Sequence, residues 1–348
     1  MFPWSESYFL CGLDELFGSE SVTFDIKEFF TLADDNNRRN TFNFIVEHNG
    51  NRLKCSIDWF DLNTINNQAA YDWCDVYCKV NTNWKITPIE VYPKIVPVGP
   101  TMGIHYFSNA SAIKYYFSSM RQYVRFSDRI NYVVLRDYAR SYYRERKRAR
   151  LDSYKPNTVE DDNYLFFLST LWYNADWNDN DNNLNTPRYN IIKTLKSFDW
   201  LNFEGGFIPH QKRSNRRGYV SSTEKYKDAI YCGDRLSIFK YIDKIQHSFA
   251  VINTPAVAHC FGWKLAEYLA MGKAIISLPL VNDLPYPLEH GENIHFIDGS
   301  TNSLESALQK LSTDKEYRFK LSKGARAYWE RYCAPVKVIE TATKSLLF

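Results

Sequence analysis

The sequence predicts an α/β protein of two domains, the second built on a doubly wound parallel sheet. Three observations carry that expectation. The chain has 348 residues, more than one ordinary core organises, so two units of roughly 100–200 residues are expected. In the second half, short apolar runs alternate with helical patterns of crossover length, which is how parallel strands are joined. In the first half, two β-rich runs meet at Asn49-Gly50, the residue pair of a tight hairpin turn, so this layer departs from a purely parallel scheme.

Taken in order, residues 5–17 predict a helix: Ser5 can cap it, and Phe9, Leu13, Leu16 and Phe17 recur near helical spacing. Residues 21–26 predict a strand. "TFNFIVEHNGNRLKCSIDWFD" predicts the hairpin, followed by a helix at 66–73 and buried strands in "CDVYCKV" and "KIVPVG". Residues 110–149 predict one or two basic helices, and the polar run "ADWNDNDNNLNT" a surface loop. In the second half, "YLFFLST" is a strand and 187–197 a helix. Residues 203–222, with Gly205-Gly206 and the basic cluster Lys212, Arg213, Arg216 and Arg217, are expected to be loop-rich. "DAIYCG", "SFAVINT", "AIISLPL" and "IHFID" predict strands, with helices at 234–246, 261–271, 302–312 and 314–332.

The totals exclude several classes. With 45% hydrophobic and 24% charged residues, the composition is that of a globular protein. No apolar run approaches the ~20 residues needed to span a bilayer, and the N-terminus lacks the basic start of a secretory signal. Seven Cys, an odd number without C-x-x-C, suit reduced thiols in a cytoplasmic compartment rather than a disulfide framework. The net charge is +3, yet residues 114–150 hold eleven Lys/Arg against three acids, a local excess of +8. Such a basic patch interleaved with aromatics suits an anionic partner: a membrane surface or single-stranded nucleic acid. There is no G-x-S-x-G, P-loop or G-x-G-x-x-G, and the lone D-x-D triplet (Asp179-Asn180-Asp181) lies in the polar loop, so no metal is expected.

The stretch with most chemistry is "HCFGWKLAEYLAMGKAIIS", residues 259–277. Phe261, Leu265, Leu269 and Ala270 form an apolar face, and Gly272 is placed to end the helix. The helix therefore presents free N–H groups and a partial positive charge at its start, a natural phosphate site. Lys264 opposes the dipole there, which favours an anionic ligand. On the helix pattern alone, Glu267 fits a solvent-facing position, an i,i+3 partner of Lys264, or a ligand.

This corner resembles the nucleotide-sugar site of GT-B glycosyltransferases of the retaining E-x7-E type, whose fold is two Rossmann-like domains facing a cleft. In that family an acid precedes "FG" and a second Glu follows eight positions later. Glu267 matches the second acid, which the resemblance implies binds the ribose hydroxyls. His259 stands where the first acid, which contacts the donor sugar, belongs. The turn "LPYPLEHGENIHFI" and the strand–helix–strand of residues 231–254 extend the likeness over roughly 230–335. The resemblance implies catalytic roles for His259 and Glu267, and donor binding by Phe261, Gly262, Trp263 and Lys264 and, in the base-facing loop, Arg235. The family's basic pair after the first strand of the second domain is absent from "STLWYN", and Arg188, at the next helix start, is the first replacement.

The expected organisation is an acceptor-side domain (1–107), a basic aromatic helical linker (108–160), a nucleotide-sugar-binding domain (161–330) and a helix crossing back (331–348). Asp58 and Asp61, near a strand end, are acceptor-side candidates, since an inverting enzyme needs a general base there. The expected function is metal-independent, retaining sugar transfer from a nucleotide-sugar to a glycan or lipid-linked glycan in cell-surface polysaccharide synthesis. No cofactor and no nucleic acid partner are expected, and the enzyme would sit in the cytoplasm, on the inner membrane face through residues 114–150. The rivals are a nucleotide-sugar epimerase or polysaccharide pyruvyltransferase on the same scaffold, and a non-catalytic RNA- or lipid-binding protein.

Overall fold

The computed structural model describes residues 3–29, 32, 41–126, 132–156, 160–172, 184–209 and 224–347. The polar triplet at 179–181 and the basic cluster at 212–217 lie outside them. The chain opens with α1 (Pro3–Phe17), then β1 (Thr41–His48) and β2 (Asn51–Asp58). These two pair antiparallel from Thr41–Asp58 to His48–Asn51. The turn between them puts Asn49 at φ 49° and Gly50 at φ 80°, the double left-handed geometry that the Asn-Gly pair tolerates. After α2 (Gln68–Trp73), β3 (Val76–Lys79) and β4 (Ile95–Pro97) add in parallel, giving the order β1-β2-β3-β4.

Residues 21–26 do not form the expected strand. A 3-10 turn spans Ser19–Ser21, and the segment after it is held by side chains instead of a ladder. The Phe24 carbonyl accepts from Gln122 Nε2 at 3.0 Å, and its ring lies 4.6 Å from that of Tyr115. Both partners belong to α3 (Asn109–Phe126), which with α4 (Tyr132–Glu145) makes the basic segment two amphipathic helices.

The second half carries β5 (Tyr164–Leu171), α5 (Asn185–Lys196), β6 (Asn202–Pro209), α6 (Ile238–His247), β7 (Val251–Asn253), α7 (Gly262–Ala270), β8 (Ile275–Ser277) and β9 (His295–Phe296). α8 (Thr301–Thr313), α9 (Lys315–Tyr328) and α10 (Pro335–Leu347) close the chain. β5 pairs parallel with β6, and β7-β8-β9 form a second parallel set. The sets meet at the amino ends of β5 and β7, where Phe249 N donates to Tyr164 O (3.1 Å) and Phe166 N to Ser248 Oγ (2.9 Å). The spatial order is thus β6-β5-β7-β8-β9, with the winding direction reversing between β5 and β7. In open α/β sheets, the crevice beyond the carboxyl ends at such a reversal is where ligands bind.

Two expectations in this half are corrected. Residues 203–209 are strand and not loop: a Cβ on Gly205 would stand 2.1 Å from Phe167 O. The glycine marks close approach of two strands, which turn chemistry alone mistakes for a loop. "DAIYCG" makes only a 3-10 turn (Lys227–Ala229) and a bridge from Ile230 to Phe207, with Tyr231 N donating to Phe207 O at 2.9 Å and the Ala229 carbonyl packed against Gly206.

The halves share one large core. Tyr8, Phe9 and Ile57 from the first cluster with Leu265, Leu269 and Ala270 from the second, and with Val338 and Ile339 of α10. Tyr8 OH donates to Cys333 O at 2.6 Å, and Cys55 Sγ to Ala342 O at 3.4 Å, fastening α10 under α1 and β2. On the strand-end side, Trp84 N donates to Asp283 Oδ2 (2.8 Å) and Phe261 N to Asn81 Oδ1 (3.1 Å). Gly205→Ala is expected to cost about 2–4 kcal/mol by forcing β5 and β6 apart; urea denaturation of the purified variant measures it.

Candidate functional site

The site is built on the segment between β7 and α7. Residues 254–261 fold back on themselves: Ala256 N donates to Cys260 O at 3.0 Å, closing a 3-10 turn over Val257–His259. Ala258 (φ 53°) and His259 (φ 58°) are both left-handed, and Gly262 comes next at φ 65°. Two successive non-glycine residues in that region cost on the order of 1–2 kcal/mol each, and such strain collects at binding sites. The surroundings hold it: Asn282 Nδ2 donates to His259 O (3.3 Å), and Asn81 takes the Phe261 amide. His259 is half-buried at the tip of this turn.

α7 starts at Gly262 without a side-chain cap, so apart from the Gly262 N–H, which serves the Cys260 thiol, its first-turn N–H groups are left for other acceptors. Two cations converge on this corner. Arg188, in the first turn of α5, is 5% exposed and donates through Nε to Thr254 Oγ1 (3.1 Å) and through Nη2 to Pro255 O (2.8 Å). None of the ion pairs among the described residues gives it a carboxylate. Burial pushes its guanidinium down to about 10. Lys264 donates to the Leu168 carbonyl at the far side of the β5–β7 seam. Burial, then the charge of Arg188, pushes its amine down to about 7. Two cations brought together in this way are a site prepared for an anion.

Glu267 lies one turn further along α7 and is 5% exposed, so the solvent-facing option is closed. Burial pushes its carboxyl up to about 7, against the opposing pull of Arg148, of Lys264 and of the Tyr241 hydroxyl, which donates to Oε2 at 3.3 Å. Burial therefore pushes Lys264 and Glu267 toward neutrality from opposite sides. Phe261 is buried in the core, and half-buried Trp263 carries the Arg148 guanidinium 4.3 Å from its ring centroid.

The other named residues fall in different places. Asp58 is fully buried: it pairs with Lys79 (3.0 Å), accepts from Tyr77 OH (2.8 Å) and Phe60 N (3.0 Å), and acts as a structural carboxylate. Asp61 lies exposed at the mouth of the junction and accepts from Cys260 Sγ at 3.4 Å; desolvation pushes its carboxyl above the ordinary value. Arg235 is exposed on the loop before α6, apart from the hydrogen bonds that tie the cluster together. Thr254, Asn81, Tyr241 and Arg148 join the site without a motif to announce them; Thr254 alone carried a signal, its position just past a strand end. Among the described residues no three His, Cys, Asp or Glu side chains gather as a metal group. The groove of about 540 Å³ lined by Glu15, Leu151, Trp329 and Glu340 includes none of these residues.

No family model matches the chain, and no curated protein matches it. Solved structures do resemble it. A glycosyltransferase from Rickettsia africae is 13% identical with a TM-score of 0.43, over 78% of this chain and 64% of that one. Anabaena HepE, solved with UDP and glucose, is 12% identical with a TM-score of 0.43, over 80% and 66%. TarM is 10% identical with a TM-score of 0.36, over 53% of this chain and 35% of its own. The chain thus spans about a third of TarM and about two thirds of the other two.

Because burial pushes the Glu267 carboxyl up to about 7 in the fold, while an unfolded carboxyl titrates near ~4.3, stability is expected to fall as pH rises through that window. Glu267→Gln removes this cost. Its stability advantage over the wild type is expected to grow from pH 5 to pH 8, reaching on the order of 2 kcal/mol, as thermal melts at both pH values would record.

Proposed function

We propose that the chain is a glycosyltransferase that moves a sugar from a nucleotide-sugar donor to a glycan or lipid-linked glycan acceptor, as in cell-surface polysaccharide synthesis. The observation that carries this reading is Arg188: a buried guanidinium with neutral partners, next to Lys264 and the uncapped start of α7, at the reversal point of a parallel sheet. That arrangement suits a diphosphate. Arg188, Lys264 and the first N–H groups of α7 stabilise the leaving diphosphate as charge grows on it, the largest contribution available to such a reaction. An anion arriving there restores the proton on Lys264, so binding strengthens the site that receives it.

Glu267, one turn deeper, accepts hydrogen bonds from the ribose hydroxyls when ionised. His259, at the strained tip, faces the transferred sugar. Asp61, across the junction, orients the acceptor hydroxyl. We read the reaction as retaining and independent of metal and cofactor: the product keeps the donor's anomeric configuration by proton NMR, and EDTA leaves the rate unchanged. Arg235 is assigned to the base-side loop.

A thermal-shift screen with UDP-, GDP-, ADP- and CMP-sugars tests the donor site. One nucleotide family is expected to raise Tm by several degrees, and Arg188→Ala to weaken that binding at least tenfold by removing a charge-assisted contact. Absence of a shift with every nucleotide sinks the reading.

The acceptor side includes an anionic membrane surface. α3 and α4 carry exposed Lys114, Arg121, Arg125, Arg140 and Arg144 beside exposed Ile113, Phe117, Val124 and Tyr132. Basic residues with apolar neighbours suit anionic headgroups, whereas no helix among the described residues is long and apolar enough to cross a bilayer. The protein is expected to sediment with phosphatidylglycerol-containing vesicles, to release in high salt, and to ignore neutral vesicles.

A further inference from the structure

We propose that Asn81 is a positioning residue that couples the acceptor-side loop, residues 59–66, to the start of α7 through one buried side-chain amide. This rests on the donor-site reading above and adds a residue that the corner motif does not contain.

The loop is shaped first from within its own half. Asp58 Oδ1 accepts from Phe60 N (3.0 Å) and Asp58 Oδ2 from Asn66 N (3.4 Å), while Lys79 Nζ donates to Leu62 O (2.9 Å). The buried Asp58–Lys79 pair thus holds the loop backbone at both ends and near its middle. Asn81 lies just beyond the end of β3 and is 3% exposed. The backbone around it is pinned: Thr82 Oγ1 donates to Lys79 O (3.1 Å), and Asp283 N to Thr82 O (2.7 Å). The side chain then bridges the two halves. Nδ2 donates to Phe60 O at 2.9 Å, and Oδ1 accepts from Phe261 N at 3.1 Å.

Those two contacts fix the residue type. One partner is a carbonyl and the other an N–H, so the bridge needs a donor and an acceptor on one rigid plane. Turned over, the amide would set oxygen against oxygen and N–H against N–H. A carboxylate satisfies only Phe261, and an aliphatic side chain satisfies neither, which leaves both backbone groups without this partner. The Phe261 N–H immediately precedes the first turn of α7, where the diphosphate is received in the donor-site reading. Phe60 immediately precedes Asp61, the acceptor-side carboxylate. A contiguous chain of hydrogen bonds therefore runs from the anion corner to the acceptor loop, and the loop takes its position from the helix end. A second contact runs beside it, from Cys260 Sγ to Asp61 Oδ1 at 3.4 Å. A thiol is a weak donor, so the amide carries the coupling.

The test follows Trp59, half-buried beside Phe60, by fluorine NMR of the full chain labelled with fluorotryptophan, its resonance assigned with Trp59→Phe. The 254–262 turn is perturbed in two ways. One is saturation with inorganic pyrophosphate, the probe for the anion corner. The other, in the free protein, is Asn282→Ala, which removes the bond to His259 O. With Asn81 in place, both are expected to shift the Trp59 resonance. In Asn81→Ala the shifts are expected to be lost while calorimetry still records pyrophosphate binding, a separation that a merely structural role would not produce. Asn81→Asp, which keeps the shape and the bond to Phe261 N, is expected to lose them too and decides the matter if Asn81→Ala does not fold. Cys260→Ala is expected to keep them. A Trp59 resonance that neither perturbation moves overturns the proposal, as do shifts that persist in the Asn81 variants. If the wild type binds no pyrophosphate, the donor-site reading fails, and the Asn282→Ala comparison in the free protein still decides Asn81.

Discussion

The seam between β5 and β7 is the constraint on which the site depends. At their amino ends the two strands are tied by backbone and by Ser248. Further along, among the described residues, no ladder joins them. Backbone carbonyls facing that gap still need donors, because a buried unpaired carbonyl is costly. Lys264 supplies one for Leu168, and Arg188 supplies another for Pro255 on the opposite side. Two cations are thereby drawn into a poorly solvated gap for a structural reason, and their mutual repulsion makes the gap receptive to an anion.

The same burial governs the titrating groups. Lys264 and Glu267 would normally differ by about six pH units, yet in the fold both lie near neutrality. Neither shift comes from a designed proton relay. Each is what low dielectric does to a charged group that lacks a full complement of partners. The left-handed backbone of Ala258 and His259 adds local strain to the same corner.

The two halves meet on both sides of this corner. Asn81 and Trp84 from the first half engage Phe261 and Asp283, while α10 runs beneath α1 and β2. The shared apolar cluster makes the junction continuous with the core. Asn81 is thus bonded directly to the end of the 254–262 turn, and Asp61 accepts from Cys260 beside it.

Much of this was legible in the sequence. Helices with clean apolar faces and the Asn-Gly hairpin arise from local periodicity and turn chemistry, which act over a few residues. So does the corner helix 262–270, with Gly262 and Gly272 at its ends. Where local patterns misled, at 21–26, 203–209 and 228–233, the deciding partner lay elsewhere in the chain: α3, β5 and Gly206 respectively. The sequence by itself determined which residues carry charge near residue 264, and that Glu267 interrupts an apolar helix. Only the tertiary structure decided that Asp58 is locked in an ion pair, that Arg188 is buried against neutral oxygens, and that Arg148 reaches Trp263. The physical reason is that desolvation and pairing depend on what surrounds a side chain in space, and residues 188 and 264 are brought to one place only by the winding of the sheet.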